Sequence, residues 1–356
     1  MQEEAANLIS EHQNSLAQAI VENQFARHPE LHVRYGKKGK EKCLEDASYH
    51  LRHLAEAIRF EMPELFLDYV AWAKVLLFSL GIKTSDLEAN LFSMLEAIQK
   101  IVPSIESLAR NPIETAILKL PEMPTNPESF INVNVPHGEL ARNWMDALLS
   151  QDRRRARTLI YGAIDGGIKL TDIYDDVLVP CLRETGRLWQ TRVINEAQEH
   201  FCAEIVNNLL SILTAQSDFD VPKKRRLAIG FCVANEQHSL GLRLALDCFQ
   251  LLGWDTVLLG ANLPIRNMDW LLQEWKPDVI AISVTMIYHL SDAQKAIAAL
   301  RAVATPGKPK IIVGGRPFIL CPGLWEKVGA DMAVTSCQRA MEIAQSLETE
   351  RREVIS

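Results

Sequence analysis

RLAIGFCV, residues 226–233, is an apolar run whose only charge is the leading Arg226, with no polar alternation to mark a solvent face. A strand that is apolar on both sides belongs in a sheet covered by helices on each face, the usual setting of parallel strands. Four further runs share this character: DTVLLG (255–260), DVIAISVT (278–285), KIIVGG (310–315) and ADMAVTS (330–336). Between them lie stretches that read as helices, at about 238–252, 266–275, 291–304, 320–328 and 337–350. The alternation of strand and helix predicts a five-stranded doubly wound domain of the flavodoxin-like type over 226–350. Ligands of such sheets sit beyond the carboxyl ends of the strands, so the loops that follow the strands are where chemistry belongs.

The first of these loops reads ANEQHSLG (234–241). On its own His238 reads as a helix-start residue or a satisfied core histidine rather than as a ligand. Its neighbours change that reading. Glu236 lies two residues before it, near enough for a carboxylate to hold the imidazole and raise its basicity. Gly241 removes a side chain one turn into the next helix, where a bulky ligand could pass. Ser283 and Thr285 end the third run and Gly314-Gly315 ends the fourth, which puts hydroxyls and bare backbone on the same sheet edge.

The three motifs, Glu236-x-His238-x-x-Gly241, Ser283-x-Thr285 and Gly314-Gly315, resemble the cobalamin-binding domain shared by corrinoid methyltransferases, mutases and light-responsive cobalamin regulators. The resemblance spans about 130 residues and implies base-off, His-on binding, in which the nucleotide tail leaves cobalt and enters a channel beside the sheet. It assigns His238 as the lower axial ligand of cobalt, with Ser283 and Thr285 on the tail and Gly314 and Gly315 giving it room.

Upstream, residues 137–215 read as helices at about 138–150, 152–167, 171–189 and 194–214, enough for a four-helix bundle that could cap the corrin. Trp189 and the pair Glu199-His200 would ordinarily be a core aromatic and a solvated couple. Their spacing resembles the cap of CarH-type cobalamin photoreceptors, which implies Trp189 over the upper ligand with Glu199 and His200 reaching an adenosyl group. A flat aromatic and two hydrogen-bonding groups match that ligand chemically. Gln190 departs from the pattern, since such regulators can carry there a histidine that captures cobalt after illumination.

Residues 1–120 read as a helical domain, joined through a proline-rich linker (121–136) to the cap. Glu41–Met62 carries an apolar stripe at Leu44, Ala47, Leu51, Leu54 and Ile58, and Glu64–Leu80 is rich in aromatics. This domain serves either as a helical dimerisation bundle or as a second ligand pocket. A helical, aromatic-rich domain ahead of a capped cobalamin module resembles the organisation of photocobilins. By that resemblance Arg34, Tyr35, Tyr49, His50, His53 and Arg59 are candidates to bind a bilin such as biliverdin.

With 45 acidic against 38 basic residues the chain lacks the concentrated basic face of a direct nucleic-acid binder. The cluster Lys37, Lys38, Lys40 and Lys42 reads as a solvated loop, and residues 1–120 do not resemble a helix-turn-helix domain. The start MQEEAANLIS lacks the features of a signal peptide, and no run approaches a membrane span. Seven dispersed cysteines suit a reducing cytoplasm.

The function expected is a sensor that binds adenosylcobalamin and signals through light-driven movement of the cap, through a homo-oligomer or an output protein partner, with no catalytic residues of its own. The alternatives are a corrinoid shuttle protein of a methyltransferase system, and a cobalamin carrier or sensor without photochemistry.

Overall fold

The five apolar runs form five parallel strands: β1 (Leu227–Val233), β2 (Asp255–Leu263), β3 (Val279–Ser283), β4 (Lys310–Gly314) and β5 (Met332–Val334), in the order β2-β1-β3-β4-β5. This computed structural model describes residues 1–217, 222–264, 266, 268–303 and 308–355. β1 and β3 are almost wholly buried, whereas β2 and β5, at the two edges, are half-exposed. That contrast follows from position, because only inner strands are covered on both faces and flanked on both sides. The sheet orders its first strands 2-1-3, so its switch point lies between β1 and β3. The loops after those two strands meet there.

Helices α12 (Leu240–Gln250), α13 (Met268–Trp275), α14 (Leu290–Ala302), α15 (Arg316–Leu320), α16 (Leu324–Lys327) and α17 (Cys337–Ile355) alternate with the strands. α12 packs with α17, and α13 with α14, which gives the two covering layers. Ahead of the sheet come α7 (Gly138–Leu149), α8 (Arg153–Asp165), α9 (Leu170–Ile173), a π-helical turn (Tyr174–Leu178), α10 (Val179–Gln190) and α11 (Glu196–Ser217). The third expected cap helix is therefore one path broken by a π-turn. Asp152 caps α8 by accepting the Arg155 amide (2.9 Å).

Cap and sheet share one hydrophobic core. Trp144, Tyr174, Cys181 and Val206 of the cap belong to the same buried cluster as Phe249, Trp254 and Ala340. Polar contacts reinforce it. The amides of Cys337 and Gln338, at the start of α17, donate to Asp175 in the π-turn (2.8 and 2.9 Å). Arg243 on α12 donates to Asn207 (2.6 Å) and Ser211 (3.0 Å) on α11. Phe130, inside the expected linker, donates its amide to the buried Glu184 of the cap (2.9 Å), which also holds Arg187 (2.6 Å). Residues 216–225, a polar stretch between cap and sheet, lie partly outside the described residues.

The chain divides into two compact units, Met1–Pro127 and Glu128–Ser356. The first consists of α1 (Gln2–Glu11), α2 (Gln13–Arg27), α3 (Glu30–Arg59), α4 (Pro63–Ser79), α5 (Thr84–Ile101) and α6 (Glu106–Lys119). α3 starts well before Glu41 and is broken at Gly36, where φ is +60°. The lysine cluster expected in a loop therefore lies on a helix, exposed to solvent. The stripe along α3 is buried at Ala47, Leu51, Leu54 and Ile58 but exposed at Leu44, so the apolar face begins one turn later than expected. Lys74, buried in this unit, donates to the carbonyls of Leu120 (2.7 Å) and Met123 (2.5 Å) and so ties down the chain leaving α6. Among the described residues no helix is long and apolar enough to cross a membrane.

Candidate functional site

Two strand ends converge on one carboxylate. Glu236, in the loop after β1, is fully buried. Its Oε1 accepts from His238 Nδ1 (2.5 Å) and from the His238 amide (3.0 Å). Its Oε2 accepts from the amides of Thr285 (2.8 Å) and Met286 (2.9 Å) in the loop after β3. Burial alone would raise the Glu236 pKa, but His238 and these amides outweigh it and hold the carboxyl down at about 2. The same hydrogen bond raises His238 above its ordinary value, against the opposing effect of burial, and two carboxylates, Glu236 and Glu199, add to the rise.

The consequence for His238 is a fixed ring. With Nδ1 committed to a carboxylate, Nε2 is the nitrogen left for a metal, and the side chain is 58% exposed. Gly241, at the start of α12, has no atom within 4 Å of where a side chain would begin, so open space lies beside the imidazole's helix. Among the described residues no cluster of three or more His, Cys, Asp or Glu could hold a bare metal ion. A single oriented imidazole beside open space is what a cobalt already held by four corrin nitrogens requires. The residues present therefore fit cobalamin.

The other expected residues divide. Ser283 is buried at the end of β3, in register with Cys232 of β1. Burial pushes the Cys232 thiol up to about 12, so it stays protonated and donates to the His238 carbonyl (3.6 Å). Thr285 is half-buried and serves Glu236 through its backbone.

Gly314 and Gly315 have a reason within the fold itself to be glycine. Gly315 has φ +114°, and a side chain there would meet the Val284 carbonyl at 1.8 Å; one on Gly314 would meet the Val334 carbonyl at 3.2 Å. The space left by these missing side chains is taken by the protein's own backbone, which lets the ends of β3, β4 and β5 close together.

In the cap, Trp189 is half-buried at the end of α10 and packs on the shared core. Glu199, near the start of α11, contributes the smallest part of the rise in the His238 pKa and pairs with His200 on its own helix (3.4 Å). His200 is 71% exposed and paired with Glu196 (3.7 Å) and Glu199 (3.4 Å) on its own helix. Gln190 is buried.

The sequence reading missed Asn235 and Asn262. The Asn235 amide donates to Asn262 Oδ1 (2.7 Å), and the Asn262 amide donates to the Glu236 carbonyl (3.0 Å). Both residues have left-handed backbones, φ +65° and +57°. Asparagine adopts this conformation more readily than most residues, so asparagines next to strand ends were the available signal.

Family models described as B12 binding domain match residues 140–214 and residues 226–344. The chain carries a cobalamin-binding module. Curated relatives are consistent with it. The HTH-type transcriptional repressor CarH of Myxococcus xanthus is 26% identical over 185 residues, 51% of this chain and 59% of that protein. Dimethylamine corrinoid protein 3 of Methanosarcina acetivorans is 25% identical over 170 residues, 48% of this chain and 76% of that protein. The monomethylamine corrinoid protein of Methanosarcina barkeri shares the fold, with a TM-score of 0.52 at 21% identity, covering 60% of this chain and 99% of that one. The module spans the cap and the sheet, which agrees with their single core.

The six N-terminal candidates do not form one group. Arg34 and Tyr35 both bind Asp86 (2.7 and 2.6 Å). Arg59 pairs with Glu3 and Asn7 at the C-terminal end of α3, whereas Arg34 and Tyr35 lie before its break at Gly36. Between them, His50 is hydrogen-bonded to the Tyr69 hydroxyl (2.8 Å), and His53 stacks on the Tyr69 ring at 3.5 Å. The His53 Nδ1–H donates to the Tyr49 carbonyl (2.8 Å). These candidates are thus held by separate partners, Asp86 for Arg34 and Tyr35, Tyr69 for His50 and His53, and Glu3 and Asn7 for Arg59.

Proposed function

We propose that this chain is a light sensor that binds adenosylcobalamin base-off, with His238 as the lower axial ligand. The observation that carries the proposal is the fixed ring of His238, whose Nδ1 is bonded to the buried Glu236 carboxylate (2.5 Å) so that Nε2 is left for a metal. Its similarity to the CarH repressor supports the same reading. When bound, adenosylcobalamin supplies a cobalt–carbon bond that green light breaks.

The chain's own residues do the rest. Glu236 keeps a proton on Nδ1 and so presents Nε2 to the metal. Ser283, Thr285, Gly314 and Gly315 form the sheet edge along which the nucleotide tail would run. Trp189, Glu199 and His200 would flank the adenosyl group and exclude water from it. Loss of that group would remove the ligand that the cap covers, so the joint between cap and sheet is the element to be switched. Gln190 carries no imidazole, so the light state proposed here does not use a second histidine from that position.

The output would be a change of homo-oligomeric state or contact with a partner protein. Size-exclusion chromatography of the adenosylcobalamin-loaded protein in darkness and after green light tests this. A light-dependent change in elution supports the proposal. A protein that takes up methylcobalamin, refuses adenosylcobalamin and elutes identically in light and dark is instead a methyl-carrying corrinoid protein, the reading that the corrinoid relatives favour.

A bilin such as biliverdin is proposed as a second chromophore only for the aromatic cluster around Tyr69, with Tyr49, His50 and His53 beside it. The support is the stack of the buried His53 and Tyr69 rings, with the half-buried Trp72 beside them. Co-expression with a bilin source should give a long-wavelength absorption band that Tyr69→Ala removes. Absence of the band leaves the N-terminal unit a helical scaffold.

A further inference from the structure

β2 runs beside β1 in register from Leu227↔Asp255 to Gly230↔Leu258, and then the pairing slips twice, to Phe231↔Gly260 and Val233↔Leu263. Two extra residues are thus taken up in β2 where it approaches the His238 loop. The left-handed positions in this stretch are Gly260 (φ +80°) and Asn262 (φ +57°). Bulges of this kind bend a strand and re-aim its side chains. Here they turn Asn262 towards the loop after β1, where it holds the Asn235–Glu236 pair at both ends, by the amide of the first residue and the carbonyl of the second. Its side-chain oxygen takes the Asn235 amide at 2.7 Å, and its own amide binds the Glu236 carbonyl at 3.0 Å. β3 holds the other end of the same residue, through the Thr285 and Met286 amides on the Glu236 carboxylate.

We infer that Asn262 is a positioning residue for cobalamin ligation, fixing the Glu236 backbone so that Glu236 in turn fixes the imidazole of His238. The inference rests on the His-on reading of the site. It makes the bulged end of an edge strand, outside all three motifs, part of the binding machinery.

The geometry demands two properties at position 262, tolerance of a left-handed backbone and a side-chain oxygen that accepts. The two can be separated. Asn262→Gly keeps the backbone freedom and loses the acceptor. Asn262→Asp keeps both.

The experiment loads cob(II)alamin into the full-length wild type, N262G, N262D and H238A. It records the electron paramagnetic resonance spectrum, where an axial histidine nitrogen splits the cobalt lines, together with cobalamin affinity and thermal stability. The clamp predicts nitrogen splitting in the wild type and N262D. It predicts a reduced His-on fraction and roughly tenfold weaker binding in N262G, the range seen when a ligand's supporting partner is lost. N262G should nevertheless melt close to the wild type, because its backbone is unstrained. N262G with wild-type splitting and affinity within twofold overturns the inference, as does N262D that behaves like N262G. Splitting that is absent from the wild type, or that survives in H238A, overturns the His-on reading itself and the clamp with it. That result is distinct from a failure confined to position 262.

Discussion

Glu236 is the residue on which the site turns, because it is buried, ionised and bonded to four donors on two loops. Glu236→Gln keeps the shape and removes the charge. The account expects cobalamin affinity at pH 8 to fall by roughly 10–100-fold, measured by absorption titration. The pH dependence carries the same information. His238 has its pKa raised by Glu236, so a proton competes with cobalt for Nε2 at a higher pH than for a free imidazole. Binding should therefore be full at alkaline pH and weaken as pH falls through that raised value, with the onset moving to more acidic pH in E236Q. An unchanged onset contradicts the assigned pair. The Glu236–His238 pairing was legible in the sequence because the two residues lie two apart in one loop. Asn262 was not, since its role depends on two slips of register between β1 and β2 that no local pattern announces.

At the scale of elements, the strands were the most legible part, because a strand buried on both faces writes a continuous apolar run. β1, β3 and β4 lie within the stretches read for them. β2 runs three residues further, through the bulged stretch around Gly260 and Asn262. The π-turn and the clasp it carries were not legible, because Asp175 meets the start of α17 only after cap and sheet have docked. Asp175→Ala leaves the amides of Cys337 and Gln338 without this acceptor and should cost about 1–2 kcal/mol, as loss of a helix cap does, measured by chemical denaturation. In the N-terminal unit, burial lowers the His50 pKa to about 4. A histidine kept neutral when folded contributes stability that is present above its unfolded value near 6.5 and is lost as pH falls towards 4. The unit should lose stability across that window, and His50→Gln should flatten the dependence. A wild-type profile in H50Q would assign the acid sensitivity to other groups.

For the whole molecule, one core joining a helical cap to a doubly wound sheet places an oriented imidazole where the cap carboxylate Glu199 can act on it. The sequence disclosed both halves of this arrangement through short motifs. It did not disclose their common core, since each half reads as an amphipathic set in its own right. It also offered six candidates along α3 that the structure gives to separate partners, with Arg34 and Tyr35 before the break at Gly36. The chain spans 59% of the length of the CarH repressor it resembles, and sensing by the module is a proposal on which the whole account can be tested. The measurement is the absorption spectrum of the adenosylcobalamin-loaded protein before and after green light. The account predicts a base-off, His-on spectrum in darkness that His238→Ala abolishes, and a lasting change on illumination. A dark spectrum unaltered by H238A, or a wild-type spectrum that green light leaves unchanged, would contradict it.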